Sequence, residues 1–310
     1  MGKHYYDLYD SWTNWEYKPS LDYFEAAIKA DSLYADAYIG KANLLLAVAW
    51  RKHLDPDSIK NEIEKCINKA IEINPYLGSS YVAEGYLHYL YDFNFELAEE
   101  LYKKAIELEP NCDICYYRYF FLKFVLGEFD EARKLIDKAI ELNPLNSGYH
   151  ALKGETYWAE MKYDSAIAVY QQNLVKFPND IYSTWGMACT YGWSGEYDKA
   201  IEMINGIPGY KDRNFAAAIF STLKGDTLYA QMILDKLLDS HSQNSYTESW
   251  TWPIAAIYAN LGEYDTAIEW LEKGPIDFMY IADWFRPLRE IPRFKILLKA
   301  HGFDGDNYVN

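Results

Sequence analysis

Cys112 and Cys115 form the one Cys-x-x-Cys of the chain, at the head of an amphipathic stretch. A thiolate at a helix N-terminus is stabilised by the helix dipole, so this pair is the first candidate for redox or metal chemistry. Structural zinc takes four ligands; this motif offers two, and no second Cys-x-x-Cys or His pair lies nearby. Cys66 and Cys189 read as small buried residues, and four cysteines in 310 residues make no disulfide framework. The six histidines, His4, His53, His88, His150, His241 and His301, are scattered, and none forms His-Glu-x-x-His. Phosphate-binding Gly loops, the dinucleotide fingerprint and the nucleophile elbow are all missing from the sequence. The many acidic residues fall mostly on exposed helix faces or near helix starts, where they serve solvation. The expectation is a non-enzyme with no metal and no cofactor.

Composition narrows the partners. The formal net charge is -16 and no basic cluster exceeds a pair or two, which argues against nucleic acid and anionic membrane surfaces. The chain opens on Met1-Gly2-Lys3-His4-Tyr5-Tyr6, without the apolar core of a signal peptide. Its longest apolar run, Leu44 to Trp50, is too short for membrane insertion. A cytoplasmic location is expected; the alternative is a periplasmic domain of a longer membrane-anchored protein. Aromatics make up 17% of the residues, with 30 tyrosines, which calls for extensive helix packing, a binding face, or both.

The elements that would position these rings repeat. Ala70-Ile71-Glu72-Ile73-Asn74-Pro75 returns as Ala105-Ile106-Glu107-Leu108-Glu109-Pro110 and as Ala139-Ile140-Glu141-Leu142-Asn143-Pro144, with a weaker copy ending at Phe177-Pro178. The prolines stand 35, 34 and 34 residues apart. A second block runs Gly127-Glu128-Phe129-Asp130-Glu131-Ala132, then Met161-Lys162-Tyr163-Asp164-Ser165-Ala166, Gly195-Glu196-Tyr197-Asp198-Lys199-Ala200 and Gly262-Glu263-Tyr264-Asp265-Thr266-Ala267, with Gly225 to Ala230 as a degenerate member. The Gly suits a left-handed residue that stops one helix. The Asp sits at or near the N-cap of the next. Ala132, Leu135, Ile136, Ala139 and Ile140 then carry an apolar stripe at helical spacing. The Pro ends that helix. The unit is helix, tight turn, helix, turn.

This period of 34 resembles the tetratricopeptide repeat, with Gly154, Tyr157, Ala166, Tyr170 and Pro178 on the family's signature positions. Asn173 replaces a usual small residue, as does Phe120 one unit earlier, where the pair would pack more widely. The resemblance implies an all-α, right-handed solenoid of about eight helix pairs over 1–274: 1–34, 35–77, 78–112, 113–146, 147–180, 181–210, 211–247 and 248–274. The second unit is lengthened by a turn at Leu54-Asp55-Pro56-Asp57. A C-terminal capping segment is expected over 275–310, with a helix from Arg293 to His301 between Pro292 and Gly302. The tail Phe285-Arg286-Pro287-Leu288-Arg289, with Tyr91-Asp92-Phe93-Asn94-Phe95, is similar to tetratricopeptide modules of bacterial adenylate cyclases, serine/threonine kinases and winged-helix regulators. That likeness implies a sensory or regulatory module of a larger signalling protein.

In this family the first helix of each pair lines a concave groove. The corresponding positions here hold Tyr86, Tyr89, Tyr117, Phe121, Phe124, Trp158, Tyr182, Trp185, Trp193, Phe215 and Trp252. The packing positions are filled separately, by Gly154, Tyr157, Ala166 and Tyr170 among others, so the eleven rings are expected to bind a protein or peptide with an apolar segment. The competing expectation is that the superhelix is tight and the rings stack on one another. Glycan recognition through the same aromatics is the other ligand class. A dicarboxylate clamp is not expected: Asn43 suits one of its positions, but Ile39 and Ala83 occupy others.

Overall fold

The computed structural model describes residues 17–52, 56–207, 214–243, 251–273 and 284–300. Among them are sixteen α-helices and no strand. Helix α1 (Lys18–Ala30) precedes seven pairs: α2 (Ala35–Lys52) with α3 (Pro56–Ile73), α4 (Gly78–Leu87) with α5 (Phe95–Leu108), α6 (Asp113–Val125) with α7 (Phe129–Leu142), α8 (Ser147–Ala159) with α9 (Tyr163–Lys176), α10 (Ile181–Trp193) with α11 (Tyr197–Asn205), α12 (Asn214–Lys224) with α13 (Thr227–Gln243), and α14 (Thr251–Leu261) with α15 (Tyr264–Leu271). A 3₁₀ turn, Arg286–Leu288, and α16 (Pro292–Ala300) follow. Each first helix packs on its partner and on the helix that precedes it in the chain, and α2 with α4, α4 with α6, α8 with α10 and α12 with α14 also lie side by side, the nearest-neighbour pattern of a solenoid. The turn at Leu54-Asp55, the junctions at 210/211 and 247/248, and residues 275–283 and 301–310 of the expected cap lie outside the described residues.

The repeat marks act largely as the sequence implies. Gly127, Gly195, Gly225 and Gly262 have φ of 74°, 95°, 99° and 90°, a region open to glycine at no steric cost. Each sits in a turn closed by a bond across the helix end, as from Glu128 N to the Lys123 carbonyl at 2.9 Å. Met161 takes the same left-handed role at φ 58° without being glycine. Helices α3, α5, α7 and α9 each stop two residues before Pro75, Pro110, Pro144 and Pro178. The Asp of the second block stands near the N-cap but not at it. Asp130, Asp164, Asp198 and Asp265 are second residues of their helices, and the caps Glu128, Lys162, Glu196 and Glu263 make no side-chain capping bond. These carboxylates act on the helix dipole.

Between helices the fit is tight. A Cβ built on Gly154 would lie 2.4 Å from Tyr170 Cε1, and one on Gly186 would lie 2.6 Å from Tyr170 Cζ, so one buried ring fills the space between α8 and α10. Asn173 is buried as a polar junction: its Nδ2 lies 3.0 Å from the Ser147 carbonyl, 3.2 Å from Asp180 Oδ2 and 2.7 Å from Ser183 Oγ. Phe120 is fully buried in the core of the preceding pair. Glu99 on α5 binds α6, receiving Tyr119 Oη at 2.7 Å and Lys123 Nζ at 2.9 Å, with Lys103 at 2.7 Å from its own helix. Burial raises the Glu99 pKa, but the bonds from Lys103, Tyr119 and Lys123 outweigh it and hold the carboxyl at about 2.

Two outcomes are expected. Gly154→Trp drives a large side chain into Tyr170 and costs about 1–3 kcal/mol or more, read as a lowered thermal midpoint; a parental midpoint would show the register of that repeat to be wrong. Glu99→Gln costs about 1–3 kcal/mol at pH 7. Because the folded pKa is depressed, that contribution is complete above the ordinary carboxyl pKa of 4.5 and drains away as pH falls toward 2. Denaturant titrations of parent and variant should therefore converge in acid, and a gap independent of pH would refute the assignment.

Candidate binding surface

The eleven rings fall into two groups along the first helices. In the earlier group, Tyr86 stacks on Tyr89 with ring centroids 6.1 Å apart, and Tyr89 meets Phe95 at 5.8 Å. Tyr117 stands edge-to-face on Phe121 at 4.9 Å. The Arg118 guanidinium lies 3.9 Å over the Tyr86 ring and 5.6 Å from that of Tyr117, so α4 and α6 share a cation clasped by tyrosines. Tyr86, Tyr89, Tyr117, Phe121 and Trp158 are half-buried. Phe124 departs from the expectation. It is 6% exposed, packed on Phe120 and Phe129, because its helix turns that ring toward α7.

In the later group the rings stack on one another and on a residue from the tail. Trp284 is fully buried, with its ring 5.0 Å from Phe215, 5.2 Å from Trp193, 5.9 Å from Phe220 and 6.2 Å from Trp185. Trp252 stands edge-to-face on Phe215 at 4.8 Å. Phe215 is 2% exposed and thus a core ring, contrary to its reading as a groove residue. Tyr182, at the start of α10, is exposed. Asn260 of α14 donates to the Trp284 carbonyl at 3.0 Å. Arg286 donates to Tyr163 Oη at 3.2 Å and lies 4.7 Å over the Trp193 ring. The segment expected to cap the end of the array therefore also runs along α10, α12 and α14. Each such ring pair contributes about 0.5–1.5 kcal/mol beyond its buried area. Against this, the indole N–H groups of Trp158, Trp185, Trp193 and Trp284 are buried with no acceptor among the described residues. A stranded donor costs about 1–3 kcal/mol.

The remaining candidates for chemistry are spoken for. Cys112 and Cys115 are joined by a disulfide, a pairing the sequence reading did not include, and Cys112 caps α6 by accepting from Cys115 N at 3.2 Å. The nearby Glu109 carboxylate accepts from Gly78 N at 2.8 Å at the head of α4. Cys66 and Cys189 are buried free thiols, as expected. Burial pushes the Cys66 thiol up to about 11, the reverse of what a nucleophile needs. Cys66 borders a shallow cleft of about 340 Å³ between α1, α2 and α3, whose Lys41 is paired with Glu25 at 3.1 Å and Glu62 at 2.8 Å. Burial also pushes the Glu155 carboxyl of α8 up to about 7.

Sequence reasoning missed Trp284, Arg286, Tyr163, Arg118 and Glu155. A signal for the first existed: a tail meant only as a polar cap has no use for Trp284-Phe285 followed by Leu288, all fully buried. Arg118 and Glu155 carry no local mark, since single charges abound on these helices.

Residues 89–155 and 254–274 match tetratricopeptide-repeat profiles. A TPR repeat-containing protein of Methanocaldococcus jannaschii is 23% identical over 184 residues, which are 56% of this chain and 32% of that protein, so the chain spans about a third of its length. Yeast Tom70 matches with a TM-score of 0.58 at 19% identity, over 92% of this chain and 58% of that one. A human IFIT1 dimer with m7Gppp-AAAA matches with a TM-score of 0.59 at 16% identity, over 83% and 67%. PilF of Pseudomonas aeruginosa matches with a TM-score of 0.50 at 17% identity, over 70% and 96%. At such identities the likeness is one of fold. This chain is an all-helical solenoid with tetratricopeptide-repeat matches at residues 89–155 and 254–274.

Proposed function

We propose that the protein is a non-catalytic scaffold that holds an apolar segment of a protein or peptide along the face of its first helices. The carrying observation is the half-buried set Tyr86, Tyr89, Tyr117, Phe121 and Trp158, on successive first helices whose pairing is already served by other residues. Aromatic rings left over from packing and arrayed along one face supply large contact area at low entropic cost. The Arg118 guanidinium between Tyr86 and Tyr117 ties two of these rings together across α4 and α6. Two further observations favour binding over catalysis: the buried free thiols are not activated, and the Cys112–Cys115 sulfurs are spent on each other. No described helix is long and apolar enough to cross a membrane.

The test is panning of a phage-displayed peptide library on the immobilised chain, followed by affinity and stability measurements on alanine variants. Phe121→Ala and Trp158→Ala should each weaken the selected peptides by about 2 kcal/mol or more. Their denaturation midpoints should move far less than the ~3–5 kcal/mol of a lost core aromatic. Trp185→Ala, within the stacked group, should show the opposite balance. Unenriched panning, or selected peptides that bind both variants like the parent, would sink the proposal.

A further inference from the structure

The later half of the same face already holds a piece of chain. Trp284 and Arg286 belong to no helix pair, yet they lie across the first helices of three successive pairs. The ring enters a slot walled by Trp185, Trp193, Phe215 and Phe220, and two residues on the guanidinium stacks over Trp193 and bonds Tyr163 Oη. We infer that this slot is a docking site for a partner segment bearing an aromatic residue two places before an arginine, and that Trp284–Arg286 is the chain's own segment of that kind, seated in cis.

Three observations support this beyond the fit itself. First, the slot is not finished as a core. The indole N–H groups of Trp185, Trp193 and Trp284 are buried without acceptors among the described residues, whereas a peptide laid along them brings backbone carbonyls. Second, the segment meets the first helices through the Trp284 ring, the Arg286 guanidinium over Trp193 and the bond from Asn260 Nδ2 to the Trp284 carbonyl, so its recognition rests largely on the ring and the guanidinium. Third, a protein of net charge -16 attracts an arginine-bearing segment and repels an acidic one. The inference rests on the first-helix face being a binding surface, and it adds the partner's chemistry at the later half.

The probe is a fluorescent, end-blocked peptide with the sequence of residues 284–288, titrated by anisotropy into the full chain and into Trp284→Ala and Arg286→Ala variants. The parent, with its slot filled, should bind weakly. Trp284→Ala should bind at least tenfold more tightly. Arg286→Ala, a milder change at a half-buried side chain that leaves the ring in place, should bind about threefold more tightly. A peptide with Gln in place of its Arg should lose most of the gain. Circular dichroism establishes that each variant is folded, and if Trp284→Ala unfolds, Arg286→Ala decides the matter alone. Folded variants that bind the peptide no better than the parent, or that do not distinguish Arg from Gln, would overturn the inference. If library peptides still bind through Phe121 and Trp158 in that case, the scaffold reading stands and only the slot's assignment falls. If neither class of peptide binds, both fall.

Discussion

The structure depends on the close approach of glycines to aromatic rings between neighbouring helices. Gly85 on α4 faces Tyr102, Gly154 on α8 and Gly186 on α10 face the two sides of Tyr170, and Gly192 faces Phe220, each at a distance that leaves no room for a Cβ. A ring pressed on bare backbone fixes the separation of two helices more sharply than two flexible side chains would, because interiors are close-packed and an aromatic has few rotamers. Once Tyr102, Tyr170 and Phe220 have taken the inter-helix space, Tyr86, Tyr89, Tyr117, Phe121 and Trp158 stay half-buried. The aromatic face follows from how the solenoid is spaced. Where α6 breaks the pattern with Phe120, the large ring fills the core itself, and its neighbour Phe124 is drawn inward with it.

That face is not uniform, and the difference is physical. Along α4, α6 and α8 the rings are half-exposed, with Arg118 clasped between two tyrosines and the Glu155 carboxyl raised toward neutrality by burial. Along α10, α12 and α14 they are knitted together by Trp284. Stacking energy and stranded indole donors pull in opposite directions there, so the tail is held by a difference between two sizeable terms.

Much of the architecture was legible from sequence because repeats write the same physics several times. Four glycines at positive φ and four prolines two residues past helix ends each repeat one local requirement, so a single misreading is corrected by its copies. Met161 shows the limit of that logic in the other direction: the turn keeps its left-handed residue although the glycine is gone, because the helices on either side impose it. The Asp of the second block does lie near the N-cap, two residues inside it, since the cap is defined by backbone dihedrals and not by residue type. Long-range pairings had no such repetition. Arg286 meets Tyr163 across 123 residues, and nothing periodic connects them. The groove residues were identified by counting positions within a unit, which gives the side of the helix a ring occupies but not what else in the chain covers it.

The capping role assigned to the tail and its seat along the first helices are compatible once burial is considered residue by residue. Phe294 and Leu298 of α16 are buried, with Phe285 packing on Phe294 at 6.1 Å, and Arg293 pairs with Glu272 beyond the end of α15, which is what closing a solenoid requires. Trp284 and Arg286 do neither of these things. They lie on the inner rings of earlier pairs, where a cap has no business. The described tail thus has two placements separable in space: Phe285, Phe294 and Leu298 are buried with the end of the array, and Trp284 with Arg286 lies on rings of earlier pairs. Rings covered by the chain's own tail are apolar area withdrawn from water.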